Sequence, residues 1–269
     1  MPRVSLLSIA PVKGLGLVHP DEVLLERTGV LENRRFHVID ADGRRFNQIR
    51  EGRLVRIRPE YDAEREWLAL RFPDGTSADG DVVLGADVVT DFYGRPVRGR
   101  LVEGPWSEAL SAHLGRPLRL VQSPPGEAVD RAAAGNFSLI SEASLEELAR
   151  RTGRERVDGR RFRMLVQVTG ARAHEEDEWI GRHIGVGEAV VRVRGEVGRC
   201  AITTQDPDTG LPDLDTLRAI RGYRRREDER HLPFGIYGQV VEAGVVRVGD
   251  DVAPLELSLL DGVVGESRA

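Results

Sequence analysis

The sequence predicts a mainly β fold with a few short helices, arranged as β-barrels or folded meanders. Short apolar or alternating runs follow one another through the front of the chain, and turn signals such as Asp42-Gly43 and Tyr93-Gly94 separate them. Short strands between regularly spaced turns are typical of barrels rather than of βαβ units. The predicted strands of this part are residues 5–9, 22–25, 35–40, 55–58, 67–72, 82–84, 97–102 and 118–121.

Only three helices are predicted. One begins at Pro105 and ends at Gly115, with Leu110 and Leu114 on one face. A Ser-x-x-Glu capping box at residues 144–147 begins the second. Asp215 caps the third, because an aspartate side chain accepts hydrogen bonds from the first free amides of a helix.

Two domains are expected. The segment Gln122-Ser123-Pro124-Pro125-Gly126-Glu127 has the composition of a linker. It separates a strand-rich front from a back with its own strands and helices. The predicted domains are residues 1–122 and 128–258.

The composition limits the possible function classes. The chain has 269 residues and a net charge of −5, which argues against a nucleic-acid binder with a broad basic surface. No stretch is apolar enough to cross a membrane, and no signal peptide is recognised. One cysteine, Cys200, excludes an internal disulfide, a four-thiolate zinc site and an iron–sulfur cluster held by cysteines. A reducing, cytoplasmic location is expected.

Cys200 lies in the densest polar segment. It follows a strand-like run and Arg199, and it precedes a turn that contains Asp206 and Asp208. A thiolate beside a cation is a nucleophile or a soft metal ligand. The alternative is a buried cysteine that acts as a small hydrophobic side chain. The turn itself lacks the glutamate of a calcium loop and favours a tight turn capped by aspartate side chains.

Two further charged segments allow both a functional and a purely structural interpretation. Arg160, Arg161 and Arg163 precede a predicted strand and could bind an anion, or they could protect a solvated strand edge. The acidic run at residues 175–178 is interpreted as a solvated loop. No dinucleotide fingerprint, phosphate loop or paired-histidine metal motif is present in the sequence.

Taken together, the motifs resemble the MOSC (molybdenum cofactor sulfurase C-terminal) family, in the form with an N-terminal β-barrel domain. The chain departs from the family pattern at Gly14, Asn33 and Met164-Leu165. The matching segments are Ala10-Pro11-Val12-Lys13, residues 29–36, residues 139–145, Arg161-Phe162-Arg163, the run from Arg199 to Gly210, residues 234–237 and residues 246–250.

The resemblance implies a fold, a cofactor and a set of site residues. The fold would be an N-terminal β-barrel domain packed on a C-terminal MOSC barrel, and the cofactor would be molybdopterin with its molybdenum. Cys200 would be the catalytic metal ligand. The cofactor-binding residues would be Lys13, Arg34, Ser141, Arg163, Arg199, Thr203 and Asp206.

The resemblance also implies an activity, because similar members include the mitochondrial amidoxime-reducing component and bacterial reductases of N-hydroxylated bases. We therefore expect an oxidoreductase that reduces small N-hydroxylated substrates. Its electrons would come from a separate flavin or iron–sulfur reductase, with no nucleic acid and no membrane involved, and a monomer is favoured. The alternatives are a persulfide carrier that uses the same cysteine and a non-enzymatic carrier of the cofactor.

Overall fold

The computed structural model describes residues 1–128, 135–224 and 232–256. Strands dominate these residues, and the three α-helices are short, which confirms the predicted fold class. The helices are α1 (Trp106–Leu114), α2 (Glu142–Thr152) and α3 (Thr216–Arg224). The strands are β1 (Arg3–Leu7), β2 (Glu22–Leu25), β3 (Phe36–Asp40), β4 (Arg45–Phe46), β5 (Arg58–Asp62), β6 (Trp67–Arg71), β7 (Ser77–Asp81), β8 (Val83–Phe92), β9 (Arg95–Glu103), β10 (Leu118–Gln122), β11 (Phe137–Ser141), β12 (Val166–Thr169), β13 (His183–Val186), β14 (Ala189–Gly198), β15 (Pro233–Glu242), β16 (Gly244–Arg247) and β17 (Val252–Pro254).

The largest sheet has seven strands in the order β1-β12-β11-β15-β14-β13-β17. Asp251, next to β17, forms a bridge with Arg3 of β1, so the two edges of the sheet meet and the sheet is nearly a closed barrel. Closure pairs the edge amides and carbonyls that would otherwise be free to bind another chain. Apolar side chains from both ends of the chain fill its interior, from Val4 and Leu7 to Val252.

The front of the chain forms a five-stranded sheet, β4-β3-β10-β9-β8, beside the three-stranded sheet β5-β6-β7. These strands share one buried cluster with α1, whose Trp106 is fully buried and donates its ring N–H to the Leu68 carbonyl at 3.2 Å. The buried indole therefore has its polar group satisfied, as buried tryptophans usually require.

The strands β1 and β2 belong structurally to the back of the fold, although the sequence predicts residues 1–122 as the front domain. β1 pairs with β12 in the seven-stranded sheet, and β2 pairs with β16. Pairing between residues this far apart in sequence leaves no local pattern in the sequence, so composition could not show it. Between these two strands, the loop that carries Lys13 packs against the front of the fold, where Val12 and Leu15 join the buried cluster of the front sheets.

Three local predictions were wrong, for local reasons. A strand was predicted at residues 55–58, but residues 52–56 form a 3-10 helix, capped by the Glu51 side chain, and the next strand begins at Arg58. The pair Asp79-Gly80 also predicts a turn from the sequence, but Gly80 lies inside β7. Helix α2 begins at Glu142 because Ser141, not Ser144, provides the capping side chain. The predicted cap of α3 is confirmed: an Asp215 carboxylate oxygen accepts a hydrogen bond from the Arg218 amide at 3.0 Å.

Among the described residues, none of the helices is long and apolar enough to cross a membrane.

Candidate functional site

A cavity of about 150 Å³, the central cleft, is lined by residues from the front and the back of the chain. Lys13, Arg34 and Tyr93 come from the front, whereas Met164 and Cys200 come from the back. No aspartate or glutamate is among the described residues that line it. Its five cationic residues are Lys13, Arg34, Arg161, Arg163 and Arg199.

The cationic lining contrasts with the charge of the whole chain, which is −5. Several cations in one cleft focus a positive potential that attracts anions even when the protein as a whole is acidic. Arginine and lysine are also the side chains that bind phosphate groups most effectively. The central cleft is therefore suited to a ligand that carries negative charge.

Cys200 lies in this cleft, two residues after the end of β14. The residue follows the end of the strand in an extended conformation and begins the 3-10 helix Ala201–Thr204. Its carbonyl oxygen accepts hydrogen bonds from the amide and the hydroxyl of Thr203, both at 3.1 Å, which fix the backbone. The Cys200 side chain is exposed. The interpretation of this cysteine as a buried hydrophobic side chain is therefore wrong.

Arg199 holds the backbone beside the cysteine in place. Its Nε donates to the Phe234 carbonyl at 2.7 Å and its Nη1 to the Phe162 carbonyl at 3.0 Å. The guanidinium also lies over the Phe162 ring, 5.1 Å from its centroid. These contacts join three segments of the back half, so one role of Arg199 is to position Cys200.

Two loops of the front half supply Lys13 and Arg34. The Lys13 amide donates to the Phe36 carbonyl at 2.7 Å, and its Nζ lies 5.5 Å from the centroid of the Phe92 ring. Arg34 has a φ of +55°, and its amide donates to the Ala10 carbonyl at 2.8 Å. A positive φ is costly for a side chain such as arginine, so the surrounding structure must hold this conformation.

Arg163 crosses between the two halves of the chain. It ends the 3-10 helix Gly159–Phe162 with a φ of +52°, and its Nη2 donates to the Leu15 carbonyl at 2.8 Å. The Arg163 carbonyl in turn accepts a hydrogen bond of 3.4 Å from Arg34. The two arginines therefore lie together at the junction of the halves.

The buried Arg161 is a lining residue that sequence reasoning treated only as part of an arginine cluster. It is 8% exposed, and its two terminal nitrogens bind both carboxylate oxygens of Asp213 at 2.6 and 2.7 Å. The same guanidinium donates to the Gln205 carbonyl at 2.8 Å. The alternative of a solvated strand edge does not hold for this arginine, because its charge is buried and paired.

Thr203 lines the cleft, but its hydroxyl is already engaged. It is 3% exposed, and its Oγ1 lies 2.7 Å from the Oγ1 of Thr216, the first residue of α3. This bond anchors the 3-10 helix that follows Cys200 to the helix behind it.

Asp206 lies outside the central cleft, in a second cavity beside it that we call the side groove. The side groove is lined by Arg58, Arg160, Arg161, Arg163, His19, Asp206 and Asp208, among others. One Asp206 oxygen accepts from the amides of Asp208 and Thr209 at 3.1 and 2.8 Å. This arrangement is the predicted tight turn with an aspartate cap.

Ser141 is also outside the central cleft. It is fully buried, and its hydroxyl accepts from the Ser144 amide at 3.2 Å and donates to a Glu176 oxygen at 2.8 Å. Ser144 donates to the other Glu176 oxygen at 2.7 Å. The structure gives Ser141 a role in capping α2 and holding a buried carboxyl group.

Glu176 shows that the acidic run was misjudged as a solvated loop. The residue is fully buried in the 3-10 helix Glu175–Trp179. Burial raises the pKa of its carboxyl group, and the hydrogen bonds from the two serines oppose that rise only in part. No sequence signal marks which of four acidic neighbours turns inward.

His37 lies behind the front wall of the cleft and is 1% exposed. Its two ring nitrogens bond to the hydroxyls of Ser123 at 3.0 Å and Thr90 at 2.9 Å. Burial, with the nearby charges of Lys13 and Arg45, lowers the pKa of His37 to about 3. The imidazole therefore stays neutral at physiological pH and adds no further positive charge beside the cleft.

The described residues offer no conventional set of protein ligands for a metal ion. Within residues 1–128, 135–224 and 232–256, no cluster of three or more His, Cys, Asp or Glu side chains could bind a metal ion. A single exposed thiol in a cationic cleft fits a different arrangement, in which an anionic organic group brings the metal with most of its ligands. The donor set is therefore compatible with a metal cofactor of that kind.

Comparison with known proteins agrees with the fold. The family model described as the MOSC domain matches residues 126–253, and the MOSC N-terminal beta barrel domain matches residues 1–93. Mitochondrial amidoxime-reducing component 1 of Xenopus laevis is 30% identical over 282 residues, which cover 93% of this chain and 81% of that protein. Mitochondrial amidoxime reducing component 2 of Macaca fascicularis is 38% identical over 255 residues, which cover 84% and 74%. Matched in both of its halves and similar to these relatives along most of its length, the chain belongs to the MOSC family and is related to the amidoxime-reducing components.

Proposed function

We propose that the chain is a molybdenum-cofactor-dependent oxidoreductase that reduces small N-hydroxylated compounds. The observation that carries the proposal is the central cleft, in which an exposed Cys200 thiol shares one cavity with five cationic residues and no described carboxylate. A thiolate is a soft ligand that suits molybdenum, and the cations suit a phosphate-bearing pterin. The names of the curated relatives support reduction of an amidoxime-like substrate.

Different residues of the cleft would bind different parts of the cofactor. Lys13 and Arg34 from the front half and Arg163 from the back half would bind its anionic groups. Cys200 would supply the protein thiolate to the metal, in the orientation that Arg199 and Thr203 impose on the backbone. When bound, the cofactor supplies a centre that exchanges two electrons.

The net reaction requires two electrons and two protons: the N–O bond breaks, an N–H bond forms and the oxygen leaves as water. The described lining contains no carboxyl or imidazole group that could donate those protons. Besides water that enters the cleft, the ammonium group of Lys13 and the hydroxyls of Tyr93 and Tyr237 are groups of the lining that carry an exchangeable proton. The electrons would come from a separate flavin or iron–sulfur reductase, because the chain has a single cysteine and no flavin motif. A reducing, cytoplasmic location suits the exposed thiol.

The test is production of the protein in a host that synthesises the cofactor. We expect about one molybdenum and one pterin per chain, and turnover of a benzamidoxime substrate with chemically reduced methyl viologen as electron donor. Cys200→Ala should abolish turnover, whereas Arg98→Gln, an exposed arginine that lines neither cavity, should leave it unchanged. Protein without molybdenum or pterin would contradict the proposal.

The same preparation distinguishes the two alternatives. A persulfide carrier would show the added mass of one sulfur atom on Cys200, lost on reduction, and no bound metal. A cofactor carrier without enzyme activity would contain the pterin but reduce no N-hydroxylated compound with any donor.

A further inference from the structure

The turn between β8 and β9 places an aromatic side chain at the mouth of the central cleft. Tyr93 lines the cleft together with Lys13 and Cys200, yet it is 62% exposed. The other aromatic residues of the described lining are Phe162, which is buried, and Tyr237, which is partly buried. Tyr93 is therefore the aromatic ring of the cleft that an incoming molecule reaches most easily.

The backbone of this turn is unfavourable for a tyrosine. Phe92 pairs with Arg95 across the hairpin, and the two residues between them, Tyr93 and Gly94, have φ values of +58° and +86°. Two-residue turns with two positive φ values favour Asn-Gly or Asp-Gly, because a larger side chain is strained there. Strained residues of this kind cluster at sites that contact ligands. The conformation therefore supports a ligand-binding role for the Tyr93 ring.

The hairpin is anchored on both sides of its turn, which fixes the position of Tyr93. Phe92 is 2% exposed, and its ring packs edge-on against His37 with the centroids 5.1 Å apart. An Asp91 carboxylate oxygen accepts a hydrogen bond from the Gly94 amide at 2.9 Å. A ring on an anchored turn loses little conformational freedom when it binds a ligand, so less of the contact energy is offset by ordering.

One face of the Tyr93 ring is covered by an arginine. The guanidinium carbon of Arg45 lies 3.8 Å from the Tyr93 centroid and 5.0 Å from the Phe92 centroid, so the cation contacts both rings. Arg45 is not among the described residues that line the cleft, which places the covered face away from it. Because Tyr93 is still 62% exposed, the open surface of the ring lies on the cleft side.

We propose that Tyr93 stacks on the flat, conjugated part of an N-hydroxylated substrate and makes the central cleft selective for aromatic over saturated substrates. This inference rests on the proposed function. Stacked aromatic rings attract each other beyond the burial of apolar area, whereas a puckered saturated ring has no π face to offer. A flat ring could also come from the pterin. The exposure of Tyr93 at the mouth favours the substrate, which enters after the cofactor is in place.

Titration calorimetry of the cofactor-loaded protein measures this selectivity with benzamidoxime and cyclohexanecarboxamidoxime, which carry the same reducible group on rings of similar size. We expect benzamidoxime to bind about two- to tenfold more tightly, as one aromatic contact allows. Tyr93→Leu should remove the preference by weakening benzamidoxime alone, whereas Tyr93→Phe, which removes only the hydroxyl, should keep it. Val89→Ala, at an exposed position of β8 that lines neither cavity, is the control and should change neither affinity.

A further variant separates loss of the ring from damage to the turn. Tyr93→Asn introduces a side chain that this turn favours, so its Tm should be no lower than that of Tyr93→Leu, yet it should lose the preference as well. Turnover with reduced methyl viologen should show a higher KM for benzamidoxime in both variants and little change in kcat. Equal affinities of the unaltered protein for the two amidoximes, or a preference that survives both substitutions, would overturn the inference and leave the proposed function standing.

Cofactor content separates the two sources of a flat ring. Tyr93→Leu should retain the pterin and molybdenum of the unaltered protein. Loss of the pterin in this variant would show that Tyr93 covers the cofactor, which would overturn the assignment to substrate. If neither amidoxime is reduced, the proposed function fails, but the calorimetric comparison still decides whether the cleft prefers a flat ring.

Discussion

Ser141→Ala separates a structural role from a cofactor contact. The motif resemblance places Ser141 among the cofactor-binding residues, whereas the structure buries its hydroxyl between the Ser144 amide and Glu176. The substitution removes the cap of α2 and one hydrogen bond to a buried carboxyl group. It leaves the Ser144 hydroxyl and the Ser141 amide as the remaining partners of Glu176.

The expected loss of stability follows from these contacts. Removal of a serine cap costs about 1 kcal/mol, and loss of a hydrogen bond to a charged group costs about 1.5–3 kcal/mol. The unfolding free energy should therefore fall by about 2.5–4 kcal/mol. For a chain of this size, each kcal/mol lowers Tm by about 2–4 °C, so a decrease of about 5–15 °C is expected.

The assay is urea and thermal unfolding of cofactor-free protein, followed by measurement of pterin per folded chain in protein from a cofactor-competent host. Ser77→Ala, an exposed serine on β7, is the control and should change the unfolding free energy by less than about 0.5 kcal/mol. An unchanged Tm together with lost pterin in Ser141→Ala would refute the reasoning and place this hydroxyl at the cofactor.

Three further predictions concern the buried groups and the contact between the halves. Burial raises the pKa of Glu176 above its ordinary value of 4.5. The protein therefore loses stability as pH rises from 4.5 through that raised pKa. Glu176→Gln should lose less unfolding free energy over the same pH range, as measured by urea unfolding at several pH values. Folding lowers the pKa of His37 from 6.5 to about 3, so the protein loses stability as pH falls from 6.5 towards 3. The unfolding free energy of His37→Gln should decrease less than that of the unaltered protein over this pH range, as measured by urea unfolding. A Cβ on Gly210 would lie 2.0 Å from the Gly52 carbonyl, whereas Gly43 has the same φ of +75° with nothing within 4 Å. Gly210→Ala should therefore lower Tm clearly more than Gly43→Ala does, and equal effects would contradict the close contact.

Many of the turns and helix ends were predictable because their signals are local. The hairpin at residues 40–43, the stop at Gly115 and the cap by Asp215 each depend on a few neighbouring residues, and the structure contains them. The pairing of β1 with β12 is not local. It depends on which apolar faces pack together in the folded chain, and a single sequence contains no local signal for that contact.

The candidate site shows the same difference between residues with a signal in the sequence and residues whose role depends on tertiary packing. The motif resemblance pointed to Lys13, Arg34, Arg163 and Cys200, and the structure brings them into one cleft. The roles of Ser141 and Glu176 could not be predicted, because a serine and a glutamate in polar segments satisfy each other only once α2 and the 3-10 helix Glu175–Trp179 pack together. Tyr93 was recognised only as a turn residue, although it lines the cleft.

The central claim is that Cys200 is the protein ligand of the molybdenum. X-ray absorption at the molybdenum edge tests it directly, on unaltered protein and on Cys200→Ser, each loaded with cofactor. We predict that the variant loses one sulfur neighbour of the metal while its pterin sulfurs remain. Identical sulfur coordination in the two proteins would contradict the claim.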